Sequence, residues 1–373
     1  MAFKINKKQA ICHCVMSQIR SVIIGSGHYL PTEHIKNSHF KKSSFYNQDG
    51  TPFATSSSEI IQKFYDITGI KERRYMPEEM LSSDMAALAA EKAIADAGID
   101  KESIDQIIVA HNFGDTQHGS TIPEMMPSLA AKVKNKLGLK NPTCVSYDII
   151  FGCPGWVQAM IQADVYIKSG HAKTCLVIGT ESLSRNVDPS DRDSMIFSDG
   201  AGAVVLSAIE SEKEIGIIAH SALTHAAADL NYLTMGPTYG EQESKDLYIK
   251  MNGRKIYNYA LIEVPKAIKS CLDKSKIDLK SVSQVLIHQA NEKMDVAIGN
   301  RLYSLYGYEA MPKNKMPLIL DRMGNNSVAT VPILYDMIDK GHLPNHTFAS
   351  NQLLVLASVG AGMSINTFTY RLP

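Results

Sequence analysis

The sequence predicts a layered α/β protein built from two copies of one unit. Three observations predict it. The stretches "IDKESIDQIIVAH" from Ile99 and "IDLKSVSQVLIHQ" from Ile277 match at Ile, Asp, Ser and Gln, with aliphatic exchanges elsewhere, 178 residues apart. At that same offset "CLVIGTES" from Cys175 falls on "LLVLASVG" from Leu353, each an apolar run of strand length leading into small residues. Two unrelated matches at one offset mark a duplication. The apolar runs also lack polar alternation, the pattern of sheets covered by helices on both faces.

Taken in order, the elements support that reading. Residues 1–15 precede the first strand-like segment, "QIRSVIIGSGHYLP", and are expected to be a dispensable extension. Their "CHC" at 12–14 has the chemistry of a metal ligand pair, but no second cluster completes a site, so no metal is expected. The segment 39–59 is polar, rich in Ser and without helix or strand periodicity, which predicts a loop or flap. Each half then reads helix, buried strand, strand, corner, helix, strand, strand. The helices after the two corners end in "YIKSGH" at His171 and "MIDKGH" at His342, each with a glycine C-cap signal. The final strands are "AGAVVLSA" from Ala201 and "AGMSINTF" from Ala361. The halves are expected to span 16–210, carrying the first corner, and 211–373, carrying the second.

Composition narrows the function. Hydrophobic residues make up 45% and charged residues 20% of the 373, with a formal net charge of +0, so neither a nucleic-acid track nor a strongly anionic partner is indicated. No run of about 18 apolar residues exists, which argues against a membrane span. The N-terminal apolar stretch is too short for a signal peptide, so a cytoplasmic enzyme is expected. Six scattered cysteines fit reduced thiols rather than a disulfide scaffold.

The chemistry gathers at the two corners. In "SYDIIFGCPGWVQAM" Cys153 sits between a glycine and a Pro-Gly pair, where a strand feeds a helix. Backbone N–H groups and the positive end of the helix dipole favour thiolate there, and small neighbours let a substrate approach. Cys144, Cys175 and Cys271 lie inside apolar runs and read as structural thiols. The matching corner in the second half is "DRMGNNSVAT", at Gly324 and Asn325, so two related corners should face one cleft. The second buried strand ends in "VLIHQAN", where His288 stands at the position of Ala110 in the first half.

With these residues the chain resembles the β-ketoacyl-acyl-carrier-protein synthases III of the thiolase-like fold. The resemblance runs from Ile19 onward and rests on "IIGSGHYLP", "CPGW", "DPSDRDSMIFSDGAGAVVL", "HQAN", "LDRMGNNSVAT" and "SVGAG", in the family's order. It implies a homodimer of αβαβα-layered subunits. It implies that Cys153 accepts the acyl group, that His288 and Asn325 complete a Cys-His-Asn set, and that the N–H groups of Cys153 and Gly360 form an oxyanion hole. The activity implied is condensation of an acyl thioester with a malonyl thioester, with loss of carbon dioxide and no cofactor. Phe197, Met126, Trp156 and Arg254 are the residues expected at the substrate.

The approaches to the site depart from the family pattern. Members that use acetyl-CoA carry a Trp and an Arg just ahead of "TGI" to hold the adenine, and the matching positions here are Lys63 and Ile67. This raises acyl-carrier protein over coenzyme A as the donor's carrier. The loop 112–128 is long, and Met126 stands where a bulky Phe normally caps the partner subunit's acyl pocket. Arg254, in "KMNGRKIYNYA", is placed to meet a phosphate. Two other readings stay open: an acyltransferase moving the acyl group to an alcohol or amine, and an inactive partner subunit.

Overall fold

The computed structural model describes residues 17–241 and 245–373. The extension 1–15 and its "CHC" therefore lie outside the described residues. The chain opens with β1 (Gln18–Tyr29), β2 (Glu33–Lys36), α1 (Ser57–Thr68), β3 (Glu72–Tyr75), α2 (Ser82–Ala97) and β4 (Gln106–His111). It continues through α3 (Leu129–Lys136), β5 (Val145–Ile150), α4 (Gly155–Lys168), β6 (Thr174–Glu181) and β7 (Gly200–Ser211). There follow β8 (Gly216–Thr224), the short α5 (Ala226–Asp229), β9 (Leu233–Gly236), β10 (Tyr248–Met251), α6 (Gly253–Lys274) and β11 (Val282–Ile287). The chain closes with α7 (Glu292–Ser304), α8 (Leu320–Met323), α9 (Thr330–Asp339), β12 (Leu353–Gly360) and β13 (Ser364–Arg371).

Two mixed sheets carry the duplication. One runs β1-β7-β6-β4-β5 and the other β8-β13-β12-β11, so β1, β7, β6 and β4 correspond in order to β8, β13, β12 and β11. The predicted repeats fall on these equivalents: β4 with β11, and β6 with β12. Every residue of β4 and β6 is buried, which explains why neither strand alternates polar with apolar. Helices α2 and α3 cover one outer face, α6 and α7 the other, and α4 and α9 lie between the sheets. The result is five layers, αβαβα. Each outer helical layer packs on an apolar core of its own, and a single central core spans both faces of α4 and α9, built from Trp156, Met160, Leu334, Phe368 and their neighbours. Among the described residues no helix is long and apolar enough to cross a membrane.

The two halves differ in one strand. The segment before the second corner was expected to pair as β5 does, yet residues 311–319 form no strand. Pro312 and Pro317 remove two N–H donors from it, and the edge of β11 keeps a single ladder-like bond, Val285 N to Lys315 O at 2.8 Å. The side chain of Gln289 takes over. Its Nε2 donates to Pro317 O at 2.9 Å, and its Oε1 accepts from Ile319 N at 2.9 Å and Leu320 N at 3.2 Å. The second residue of "HQAN" thus pins the corner that carries Asn325.

Of the expected loop 39–59, residues 43–56 form a flap with its own anchors, while Asn37–Lys42 form a 3-10 helix and α1 begins at Ser57. Phe40 and Phe45 are buried in a small cluster with Ile60, Phe64 and Met195, and Phe53 packs against it. Ser56 ends the flap as the N-cap of α1, in a capping box with Glu59.

Candidate active site

Cys153 follows β5 and directly precedes α4, on the corner the sequence marked. Gly152 turns the chain at φ +79°, a value that favours glycine, and Gly155 N closes the turn on Gly152 O at 2.8 Å. Cys153 is partly exposed to a cleft, whereas Cys144, Cys175 and Cys271 are buried, as their apolar settings implied. The end of β12 lies against this corner. A Cβ at Gly360 would come within 2.7 Å of Cys153 N and 2.9 Å of Cys153 Cβ, so only glycine permits this approach.

The second corner meets the first across Ser327, whose hydroxyl donates to Cys153 Sγ at 3.2 Å. Ser327 N donates to Asn325 Oδ1 at 2.7 Å, which leaves the Asn325 amide NH2 as its remaining polar group. Ser327 holds a left-handed φ of 49°, a strained setting for a side-chain-bearing residue, of the kind concentrated at functional sites. His288 lies just past β11, with its N–H bonded to Ala357 O at 2.9 Å, so the parallel pairing with β12 fixes it. Its Nδ1 is buried without a hydrogen-bond partner.

Burial dominates the protonation of this group. The Cys153 thiol is pushed up to about 12 by burial and by the Glu181 charge, against the Ser327 hydroxyl and the residue's own backbone. The expected thiolate is therefore not the resting form, because loss of water outweighs the helix dipole. His288 is pushed down to about 4 by burial, with the Ser327 backbone opposing. Glu181, at the end of β6, is pushed up to about 8 by burial, against hydrogen bonds from Ser327, Asn112 and the Val328 backbone. At neutral pH the set is a thiol, a neutral imidazole and a carboxylic acid.

An apolar cleft of about 210 Å³ opens onto Cys153, walled by Phe113, Leu183, Phe197, Leu233, Met235 and Ile249, with Asn112 and Ser327 at its polar end. A wider cleft of about 680 Å³ is lined by Lys63, Ile67, Arg192, Met251, Arg254 and the flap residues Gln48 and Phe53. The two are neighbours along the chain: Ile196 faces the wide cleft and Phe197 the narrow one.

This arrangement has known counterparts. Residues 147–225 match the profile of 3-Oxoacyl-[acyl-carrier-protein (ACP)] synthase III, and residues 272–372 match its C-terminal profile. The β-ketoacyl-[acyl-carrier-protein] synthase III of Ehrlichia canis (strain Jake) is 34% identical over 359 residues, covering 95% of this chain and 99% of its own. The chain belongs to the β-ketoacyl-acyl-carrier-protein synthase III family. A second relative, synthase III 1 of Vibrio parahaemolyticus serotype O3:K6, is 35% identical over 92% of this chain and 97% of its own. The crystal structure of 3-oxoacyl-[acyl-carrier-protein] synthase III from Aquifex aeolicus VF5 superposes with a TM-score of 0.76 at 30% identity, covering 94% of this chain and 99% of that one. The priming β-ketosynthase of the R1128 polyketide pathway shares the fold, with a TM-score of 0.77 at 22% identity over 95% and 97% of the two chains.

Against the family pattern, the remaining predicted residues divide. Phe197 lines the narrow cleft, and Arg254, Lys63 and Ile67 all line the wide one. Trp156, expected at the substrate, is 0% exposed: α4 turns it into the central core, where it packs on Phe368. Met126 is 86% exposed and lines neither of these clefts of its own chain. Sequence reasoning missed Asn112, Glu181 and Ser327, which join the nucleophile only through tertiary contacts. It also missed the Arg192 guanidinium stacked 5.0 Å from the Phe53 ring centre, since Phe53 lay in a segment without periodicity.

Proposed function

We propose that Cys153 takes an acyl group from a thioester donor and that the acyl-enzyme condenses with a malonyl thioester to give a β-ketoacyl thioester. Family membership makes this a condensing acyltransferase of fatty-acid or related lipid and polyketide synthesis. The observation that carries the reading for this chain is the junction at Cys153, where Ser327, the Asn325 corner and the end of β12 converge on one partly exposed thiol. In the first half-reaction the Cys153 sulfur attacks the thioester, the thiol proton ends on the departing carrier thiolate, and the N–H groups of Cys153 and Gly360 meet the oxyanion. In the second, malonyl decarboxylation leaves an enolate, which a neutral imidazole N–H and the Asn325 amide suit as donors. A cationic His288 is disfavoured by its depressed basicity.

The same reading assigns Phe197 to the acyl chain, Met126 to the rim of a partner's pocket, and Arg254 to a phosphate of pantetheine or coenzyme A. It takes 16–210 and 211–373 as the two halves, a homodimer as the assembly, and the cytoplasm as the compartment. Presence of Cys153, His288 and Asn325 together argues against an inactive subunit, and the family argues against transfer to an alcohol or amine.

Intact-mass measurement after exposure to matched acyl-acyl-carrier-protein and acyl-CoA donors tests it directly. One acyl adduct on the wild type, none on Cys153→Ala, and carbon dioxide release on adding a malonyl thioester are expected. An adduct on the variant overturns the nucleophile assignment.

A further inference from the structure

The condensation scheme puts negative charge on the Cys153 sulfur twice, once as it attacks the donor and again as it leaves the acyl carbon. Neither event is easy in a site where burial pushes the thiol up to about 12. Among the described residues the only side chain hydrogen-bonded to this sulfur is Ser327, whose hydroxyl donates to Sγ at 3.2 Å. The imidazole of His288 makes no such bond, and its Nδ1 is buried without a partner.

Two features aim that hydroxyl. Asn112 Nδ2 donates to Ser327 Oγ at 2.8 Å and also to Glu181 Oε1, so the amide turns its nitrogen to the serine and the serine oxygen is the acceptor there. The hydroxyl hydrogen is thereby left for the sulfur. Ser327 N is tied to Asn325 Oδ1 at 2.7 Å, and the residue holds its left-handed φ of 49° although it carries a side chain. Glycine would adopt that φ without strain, but it has no group to reach the sulfur. We infer that the Ser327 hydroxyl is a catalytic hydrogen-bond donor to the Cys153 sulfur, holding the charge of the thiolate as it forms and as it departs, with Asn112 as the positioning residue behind it.

No proton passes through the serine. In acylation the Cys153 sulfur bonds to the acyl carbon, the carrier sulfur leaves, and the thiol proton ends on that carrier. In condensation the enolate carbon bonds to the acyl carbon and the electron pair of the C–S bond goes to Cys153. The thiolate then takes a proton from water, the one the overall reaction consumes when malonyl leaves as carbon dioxide. Ser327 remains an alcohol throughout. The Glu181 carboxyl also faces this hydroxyl, but it is a neutral acid at pH 7, whereas the sulfur is an anion when the bond matters, and a charged acceptor is roughly twice as strong. Ser327 therefore serves both half-reactions, while His288 and Asn325 serve the enolate.

The inference rests on Cys153 being the acylated residue, so the thiolate is also tested without any acyl donor, by iodoacetamide alkylation read on the Cys153 peptide at pH 8. Ser327→Gly removes the hydroxyl and suits the left-handed φ, so it should melt within about 4 °C of the wild type. Its alkylation should slow about three- to tenfold, the loss of a hydrogen bond to a charged group less the greater nucleophilicity of a more basic thiolate. Ser327→Ala should match it. Acylation by an acyl-acyl-carrier-protein and single-turnover condensation with malonyl-acyl-carrier-protein should both slow at least about tenfold, unlike the selective loss expected of Asn325→Ala. Asn112→Ala should slow alkylation less than Ser327→Gly does and should add nothing to it in the double variant. Alkylation at the wild-type rate in Ser327→Gly and Ser327→Ala overturns the inference, and an acyl adduct on Cys153 then leaves the nucleophile assignment standing. Absence of any adduct on wild-type Cys153 overturns that assignment and the catalytic role of Ser327 with it.

Discussion

His288 and Asn325 are held in place by different means. His288 is held by strand pairing through its own backbone, whereas Asn325 is oriented through its side chain by Ser327 N. Both are proposed to serve the enolate, so His288→Ala and Asn325→Ala should reduce condensation by about two to three orders of magnitude, the usual loss on removing one preorganised donor. Self-acylation should fall less, by about tenfold for His288→Ala and less for Asn325→Ala, measured as the rate of adduct formation. Equal loss in both halves would make His288 chiefly the base for Cys153.

At the scale of elements, the close approach of β12 to the corner before α4 is the most sensitive contact. Adding one methyl in Gly360→Ala drives a carbon to 2.7 Å from Cys153 N, so the strand end or the corner must shift. A loss of about 1–3 kcal/mol in stability is expected, together with a drop in acylation larger than that stability loss explains, because the oxyanion donors move apart. Urea unfolding and adduct kinetics check the two parts. The flap is proposed to govern donor choice. Arg192 already stacks on Phe53 at 5.0 Å, and a base inserted between two such groups needs about 7 Å. With Lys63 and Ile67 in place of the family's clamp, acyl-carrier-protein donors should acylate Cys153 at least tenfold faster than the matching acyl-CoA at equal concentration. Acetyl-CoA reacting fastest of all would show that Arg192 and Phe53 part to admit the base.

For the whole molecule, β5 ends its sheet and leaves Val145 52% and Ile150 60% exposed, beside a loop that exposes Ile122 and Met126. An unprotected apolar edge is a pairing surface, and a second copy meeting it edge to edge would join two five-stranded sheets into one. Sedimentation should give twice the chain mass. Val145→Lys should shift the protein toward monomer and lower acylation, as Met126 would be withdrawn from the partner pocket proposed for it. A wild-type monomer with full activity would overturn this assembly.

The duplication, the corner cysteine and, through the family resemblance, its candidate His and Asn partners could be read from the chain. They were legible because repeated apolar runs, glycine punctuation and short motifs are properties of neighbouring residues. The charge state of Cys153 was not, since the helix dipole is visible in sequence but the loss of water that overrides it depends on packing from both sheets. Trp156 shows the same limit: adjacency to the nucleophile put it near the site, and the rotation of α4 put its ring in the core. The missing strand before Asn325 was half legible, in Pro312 and Pro317, but its replacement by the Gln289 side chain required the folded corner. Glu181, Asn112 and Ser327 belong to three separate segments, and only the meeting of the two halves turns them into one hydrogen-bonded path to the sulfur.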